Sequence, residues 1–254
     1  MAAQNFFGLD IGTSSIKVVW LGKESQGIKL LAANSAPSPA RGMLTESPTD
    51  QEALAQAIKK VQQDAKISTN KVVSALPESQ IFTRVIDMPV LTDKELASAI
   101  RWEADQYLPV PVNEVSIAWQ VLTRPEKVSP NSRMQVLLIA APLGLVDKHI
   151  AILSKAGLKA VSLETENLAI VRALVDRNSP TSLILSLGAF TTDICIAKGG
   201  VLVSTRSIAT AGNSLTRSIS AELNFEAAQA EEYKKTYGLL EDQLDGKVFA
   251  AMRP

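Results

Sequence analysis

The sequence predicts an α/β fold built on a duplicated β-meander domain, with a small α/β subdomain inserted in the first copy. Three observations carry that prediction. Phe6–Gly22, "FFGLDIGTSSIKVVWLG", reads as two runs of strand formers joined by a glycine and three hydroxyl residues. Thr181–Ile208, "TSLILSLGAFTTDICIAKGGVLVSTRSI", repeats the order: strand, glycine with small or hydroxyl residues, strand, glycine turn, strand. Gly12 then aligns with Gly188, Ser15 with Thr191 and Lys17 with Asp193. The stretch between the copies carries its own helix and strand patterns, as a separate small unit would.

In chain order, "GIKLLAA" at 27–33 is the third strand of the first meander, and a proline-bearing loop leads from it to a helix over 50–65. That helix sets Leu54, Ile58, Val61 and Ala65 on one stripe. "KVVSALP" and "IFTRVIDMP" follow as extended segments, each stopped by a proline. Thr92 and Glu95 form a capping-box pattern for a helix to about Tyr107, with Leu96, Ile100, Glu103 and Tyr107 along one face. Pro109 and Pro111 exclude helix from 108–114. Residues 114–122 alternate as a half-buried strand, with Val115, Ile117, Trp119 and Val121 on one side, and the polar loop 124–132 leads into a strand at 133–141. A helix over 145–156 stops at Gly157. A strand over 158–164 and a helix over 167–177 close this section. After the second meander, helices are expected over 213–223 and, highly charged, over 226–237, the latter stopping at Gly238. The division expected is a first subdomain over 1–84 continued by 164–180, an insert over 85–163, and a second subdomain over 181–254.

Composition narrows the function classes. The chain of 254 residues is 46% apolar, which suits a soluble globular protein. Lys plus Arg equals Asp plus Glu at 26 each, so no charge surplus points to nucleic acid or an anionic membrane. The single Cys195 excludes a disulfide framework and a zinc cluster of cysteines, and fits a reducing compartment. The opening residues lack a secretory signal pattern, and the most apolar run, Val136–Val146, is too short to span a bilayer. The expected location is cytoplasmic.

The opening turn has the chemistry of a phosphate loop. Successive N–H groups in such a turn form an anion nest, Gly12 lets backbone approach closely, and Thr13, Ser14 and Ser15 add hydroxyl donors. Lys17 would supply positive charge, and Asp10 a carboxylate for hydrated Mg²⁺. Neither G-x-x-x-x-G-K-[ST] nor G-x-G-x-x-G occurs, and a plain hairpin turn is the competing reading. The second copy offers Gly188, Thr191 and Thr192, with Phe190 sitting in the turn, and two such loops can clamp a polyphosphate. Glu164 could orient a water for attack on a terminal phosphate, or be only an acid at a helix N-terminus. Asp193 reads equally as a solvated strand residue, His149 as a surface or half-buried residue, and Cys195 as core. Trp102 and Trp119 are either core or anchors for a partner peptide, and "EAAQAEEYKK" is most simply a solvated face.

"GLDIGTSSIKVV", "RVIDMPVLTDKELASAIRWEADQYLPVPVNEVSIAWQVL", "LSKAGLKAVSLETENLAIVRAL", "LGAFTTDICI" and "STRSIATAGNSLTRSISAELNFEAAQAEEYKK" together resemble the actin-like ATPase (ribonuclease H-like) superfamily. Within it they are similar to the PilM family of type IV pilus assembly proteins, and the middle stretch is the most diagnostic. The resemblance implies an ATP-binding platform protein, at most a weak ATPase. It further implies phosphate and Mg²⁺ contacts at the two loops and Gly212, and a partner in the cytoplasmic N-terminal tail of a PilN-like inner-membrane protein. Other pilus platform proteins are implied as partners too, and nucleic acid is not. The location implied is cytoplasmic, at the inner membrane through the partner. Departures are Ser186 and Ser162 where the family tends to have acids, and Ala211 before Gly212 where it has paired glycines. No glycine-rich adenosine motif follows, so the family's C-terminal part is expected to be missing. The alternatives on the same fold are a small-molecule kinase and an FtsA-like filament protein, the latter lacking a basic amphipathic tail.

Overall fold

A computed structural model describes residues 2–3, 5–25, 27–39, 42–127, 129 and 131–253. The chain divides by contacts into a larger unit, Met1–Ile184 with Ile194–Arg206, and a smaller one, Leu185–Asp193 with Ser207–Pro254.

The larger unit is organised on a six-stranded sheet. Its strands are β1 (Ala2–Ala3), β2 (Phe7–Ile11), β3 (Ser15–Glu24), β4 (Gly27–Pro37), β5 (Lys71–Leu76) and β9 (Lys159–Thr165), in the order β1-β3-β2-β5-β9 with β4 on β3. The meander β2–β3–β4 pairs antiparallel, whereas β5 and β9 join in parallel, so β2, β5 and β9 end at one edge. Ligands of open α/β sheets collect at that carboxyl edge. Alternation explains the core: Phe7, Leu9 and Ile11 with Ile16 and Val18 turn to one face and are buried. Covering them is α1 (Pro48–Asp64), where Ser47 caps the first turn, Pro48 pre-sets the backbone, and Leu54, Ile58 and Val61 are buried as the stripe predicts. Ile152 and Leu153 of α3 (Leu143–Lys155) complete this core, and Gly157 ends α3 with φ +79°.

Over residues 82–142, a separate three-stranded sheet runs β6-β8-β7, from β6 (Phe82–Pro89), β7 (Val115–Thr123) and β8 (Arg133–Pro142), all antiparallel. The helix α2 (Asp93–Asp105) packs on it through Leu96, Ile100 and Ala104. Both halves of the Thr92–Glu95 capping box form. Ala104 takes the inward position assigned to Glu103, one residue further round the helix. Part of the loop 124–132 lies outside the described residues.

α4 (Glu166–Leu174) contributes Val171 to a cluster with Cys195, Ala197 and Leu202, which places the cysteine in core as expected. Cys195 and Leu202 lie on β11 (Thr192–Lys198) and β12 (Val201–Ile208), which with β10 (Ser182–Leu187) make the third sheet, ordered β10-β11-β12. In the smaller unit α5 (Gly212–Leu223), α6 (Ala227–Tyr237) and α7 (Lys247–Met252) share a core of Ile219, Ala230, Val248, Ala251 and Met252. α7 has no counterpart among the elements expected from the sequence. Its N-terminal turn depends on Leu244, Asp245 and Gly246 in left-handed conformations, which only the glycine adopts without strain.

Candidate functional site

The first loop is held closed by one hydrogen bond, Gly12 N–H to the Ser15 carbonyl at 3.0 Å. A Cβ on Gly12 would sit 2.9 Å from that same oxygen, so the tight turn depends on glycine. Ser14 gives its carbonyl to Ser38 N–H at 2.9 Å. A second glycine, Gly42, lies against the turn. It has φ +58°, and a Cβ there would lie 2.5 Å from the Gly12 carbonyl oxygen. Gly42 was not singled out in the sequence, where it is one more small residue in a polar loop.

Asp10 and Lys17 are cross-strand partners in the β2–β3 register, and their side chains pair at 2.8 Å. About half of each side chain remains exposed, 43% for Asp10 and 54% for Lys17. Such a pair is worth roughly 0–1 kcal/mol, so both charges can be redirected cheaply to a ligand. Thr13, Ser14 and Ser15 lie at the accessible rim of the turn, Ser14 the most exposed. This donor set fits a magnesium-bound phosphate, with Asp10 available to the metal's waters and Lys17 to phosphate oxygen. Among the described residues no group of three or more His, Cys, Asp or Glu side chains could hold a metal. Mg²⁺ sites built on one carboxylate, retained waters and phosphate oxygens need no such cage.

Glu164 reaches the same sheet edge. Leu9 stands beside Ser74 and Ala75 beside Glu164, which puts Glu164 two strands from Asp10, on the order of 10 Å across the sheet. Its carboxylate, mostly buried, is ion-paired with Arg172 of α4. Glu164 belongs to β9, and Thr165 is the N-cap, its hydroxyl accepting from Leu168 N–H. The acid in the first helical turn is Glu166, which accepts from Glu78 N–H at 3.2 Å.

The second loop repeats the closing bond of the first. Gly188 N–H donates to the Thr191 carbonyl at 2.9 Å, and a Cβ on Gly188 would meet that oxygen at 2.9 Å. The Thr192 hydroxyl donates to the Thr210 carbonyl at 2.7 Å. The Gly188 carbonyl accepts from Gly212 N–H at 3.1 Å, and Ala189's from Asn213 N–H at 2.9 Å, so the loop supplies acceptors for the first donors of α5. Ser186, at the position matching Asp10, brings no charge.

The cation here comes from a helix. Lys234 Nζ donates to the Gly212 carbonyl at 3.0 Å, the Thr216 hydroxyl at 2.8 Å and Glu231 at 2.6 Å. Partial burial pushes the Glu231 carboxyl up, but hydrogen bonds from Lys234, Thr216 and Lys235 and the Lys234 charge outweigh it and pull it down to about 2. The charged helix is therefore not simply a solvated face: Glu231 and Lys234 turn inward at the start of α5.

His149 is fully buried, not surface or half-buried, and desolvation lowers its pKa to about 4. Asp193 is buried rather than solvated, with Oδ1 lacking a hydrogen-bond partner among the described residues. Of the two tryptophans left open, Trp102 is 81% exposed on the outer side of α2, and Trp119 is 39% exposed on the edge strand β7.

The family model described as type IV pilus assembly protein PilM matches residues 8–250. A chain solved in a PilM–PilN type IV pilus biogenesis complex is similar at 30% identity with a TM-score of 0.79, over 97% of this chain and 74% of that one. The ethanolamine utilization protein EutJ from Carboxydothermus hydrogenoformans has a TM-score of 0.56 at 15% identity, over 98% of this chain and 65% of its own, a likeness of fold alone. The fold is the actin-like ATPase fold. Cell division protein FtsA of Streptococcus pneumoniae serotype 2 is 22% identical over 260 residues, and that of Neisseria meningitidis serogroup B 25% over 259. Each match takes in 94% of this chain but only 57% and 62% of the respective FtsA, less than two thirds of either.

Proposed function

The chain belongs to the type IV pilus assembly protein PilM family, and on that premise we propose that it is a nucleotide-binding platform protein of type IV pilus assembly. In this reading it binds ATP with Mg²⁺ and holds the cytoplasmic N-terminal tail of a PilN-like inner-membrane protein, working beside other platform proteins. It acts in the cytoplasm and meets the inner membrane through that partner. No helix among the described residues is long and apolar enough to cross a membrane. The observation that carries the reading is the match over 8–250, which takes in both loops and the intervening sheet.

The loop chemistry supports the nucleotide half. Asp10, Gly12, Thr13, Ser14, Ser15 and Lys17 combine a glycine-dependent turn, hydroxyl donors and an easily opened ion pair. Gly188, Thr191, Thr192 and Gly212 supply a second turn of the same form. Glu164, with Arg172 on its carboxylate, is better placed as a held charge than as a free base, which favours binding over turnover.

Two measurements test this. Titration calorimetry with ATP and Mg²⁺ should show saturable binding, weakened at least about tenfold in Asp10→Ala, the cost of a charge-assisted contact. A peptide carrying the N-terminal tail of a PilN-like protein should bind the folded chain. A folded chain that takes up neither would sink the proposal. Similarity to two FtsA proteins supports a second reading, an ATP-dependent filament protein; sedimentation of the chain with ATP but not without it would favour that one.

A further inference from the structure

We propose that α3 positions the first phosphate loop through two adjacent side chains, Lys148 and His149, neither of which reaches the loop itself. His149 acts through Ser74. The Ser74 hydroxyl, buried on β5, lies 3.0 Å from the Leu9 carbonyl and 3.0 Å from His149 Nε2. The carbonyl can only accept, so the hydroxyl proton goes to Leu9 and the Ser74 oxygen accepts from His149. Nε2 therefore carries the imidazole proton. Nδ1 is left unprotonated, buried and without a hydrogen-bond partner among the described residues, which fixes a neutral ring in one tautomer. The carbonyl so held belongs to the residue before Asp10, three before Gly12.

Lys148 holds the other flank. Its ammonium, with only 12% of the side chain exposed, pairs with Glu46 at 2.6 Å and lies 3.4 Å from the Thr45 carbonyl. Thr45 follows the short turn Gly42–Leu44, whose first residue abuts the Gly12 carbonyl. One turn of α3 thus fixes the strand that enters the loop and the segment that lies against it. Pro142, where β8 ends, is the N-cap of α3, so the helix that braces the loop continues directly from the middle strand of the inserted sheet.

The competing account is plain satisfaction of a buried histidine in the core, and the test separates the two. His149 is the sole histidine, so ¹⁵N-histidine NMR of the whole chain reports it without assignment. The neutral Nε2–H tautomer is expected at pH 7; an Nδ1–H tautomer or an imidazolium overturns the relay. Amide exchange at Gly12 and Ser38 should then rise about tenfold in His149→Leu and in Lys148→Met, the upper end of what one hydrogen bond holds. Exchange at Gly188 serves as the internal reference and should not change. His149→Gln, which can keep a donor near the Nε2 position, should restore Gly12 protection. If His149→Leu fails to fold, Ser74→Ala answers the same question. Folded variants with unchanged exchange at Gly12 overturn the proposal. The affinity arm rests on the nucleotide reading above: weaker Mg²⁺–ATP binding in the same variants is expected. A wild-type chain with the predicted tautomer and exchange but no ATP binding would refute that reading and leave the positioning role standing.

Discussion

The two loops share a backbone and differ in where their charge comes from. Each is closed by a glycine N–H on the carbonyl three residues on, at 3.0 Å in the first and 2.9 Å in the second, and each excludes a Cβ at the same 2.9 Å. In the first, charge rides on the strands themselves, as Asp10 and Lys17 facing each other in register. In the second those positions are Ser186 and a buried Asp193, and Lys234 brings the cation from a helix more than twenty residues beyond Gly212. The glycine position is constrained by sterics, which admit no substitute. A side-chain charge only has to arrive near the right atoms, and any element can deliver it.

The approach of the second glycine to each loop should give the largest difference. Gly42→Ala would force a left-handed alanine and a Cβ 2.5 Å from a backbone oxygen, and should cost about 2–4 kcal/mol. Gly212→Ala meets the Gly188 carbonyl at 3.3 Å and the movable Lys234 ammonium at 3.4 Å, and should cost within about 1 kcal/mol. Gly12→Ala and Gly188→Ala should fall between, at about 1–3 kcal/mol, and be alike. Denaturant unfolding checks all four. The three tryptophans lie in the larger unit, so their fluorescence reports that unit and hydrogen exchange reports the other. A large gap between Gly12→Ala and Gly188→Ala would break the equivalence of the two turns.

Acid should take the two scaffolds apart in different windows. His149 has its pKa lowered from 6.5 to about 4 in the folded chain, so between those values the unfolded state binds more protons. Stability of the larger unit therefore falls as pH drops from about 6.5 to about 4, by up to about 1.4 kcal/mol per pH unit. Glu231 is lowered from 4.5 to about 2, so its contribution is complete above about 4.5 and is lost as pH falls towards about 2. Tryptophan fluorescence followed from pH 7 to pH 4 should show the first loss, and His149→Gln should flatten it. An unchanged slope in that variant would remove His149 from the account.

What the sequence disclosed followed local rules. The alignment of Gly12 with Gly188 survives as matching hydrogen bonds because a two-strand turn is a local object, and the Thr92–Glu95 box formed because its partners are three residues apart. His149 was misplaced because its partner, Ser74, is 75 residues away, and nothing in "LVDKHIAIL" says that a serine waits at that depth of β5. Lys234 reads as solvent-facing in the sequence because a helix with four charges in five residues, 231–235, has no distinct inner face until α5 packs on it. Glu164 was correctly placed before a helix, yet its partner, Arg172, is reached across the strand end, eight residues on.

The smallest expected effect sharpens the contrast of charge most directly. Lys17→Met removes half of a pair whose members are each about half exposed, so stability should move by no more than about 1 kcal/mol. Lys234→Met leaves Glu231, Thr216 and the Gly212 carbonyl without their shared donor in a part-buried site, and should cost about 1–3 kcal/mol. Under the nucleotide reading, Lys17→Met should weaken Mg²⁺–ATP binding out of proportion to its small stability cost, because an exposed ammonium is free to be spent on a ligand. Lys234 already has three acceptors, so its loss should be felt in folding before binding. Equal stability costs for the two variants would mean that the inward lysine is no more committed to the fold than the outward one, and the division of labour between the loops would fail.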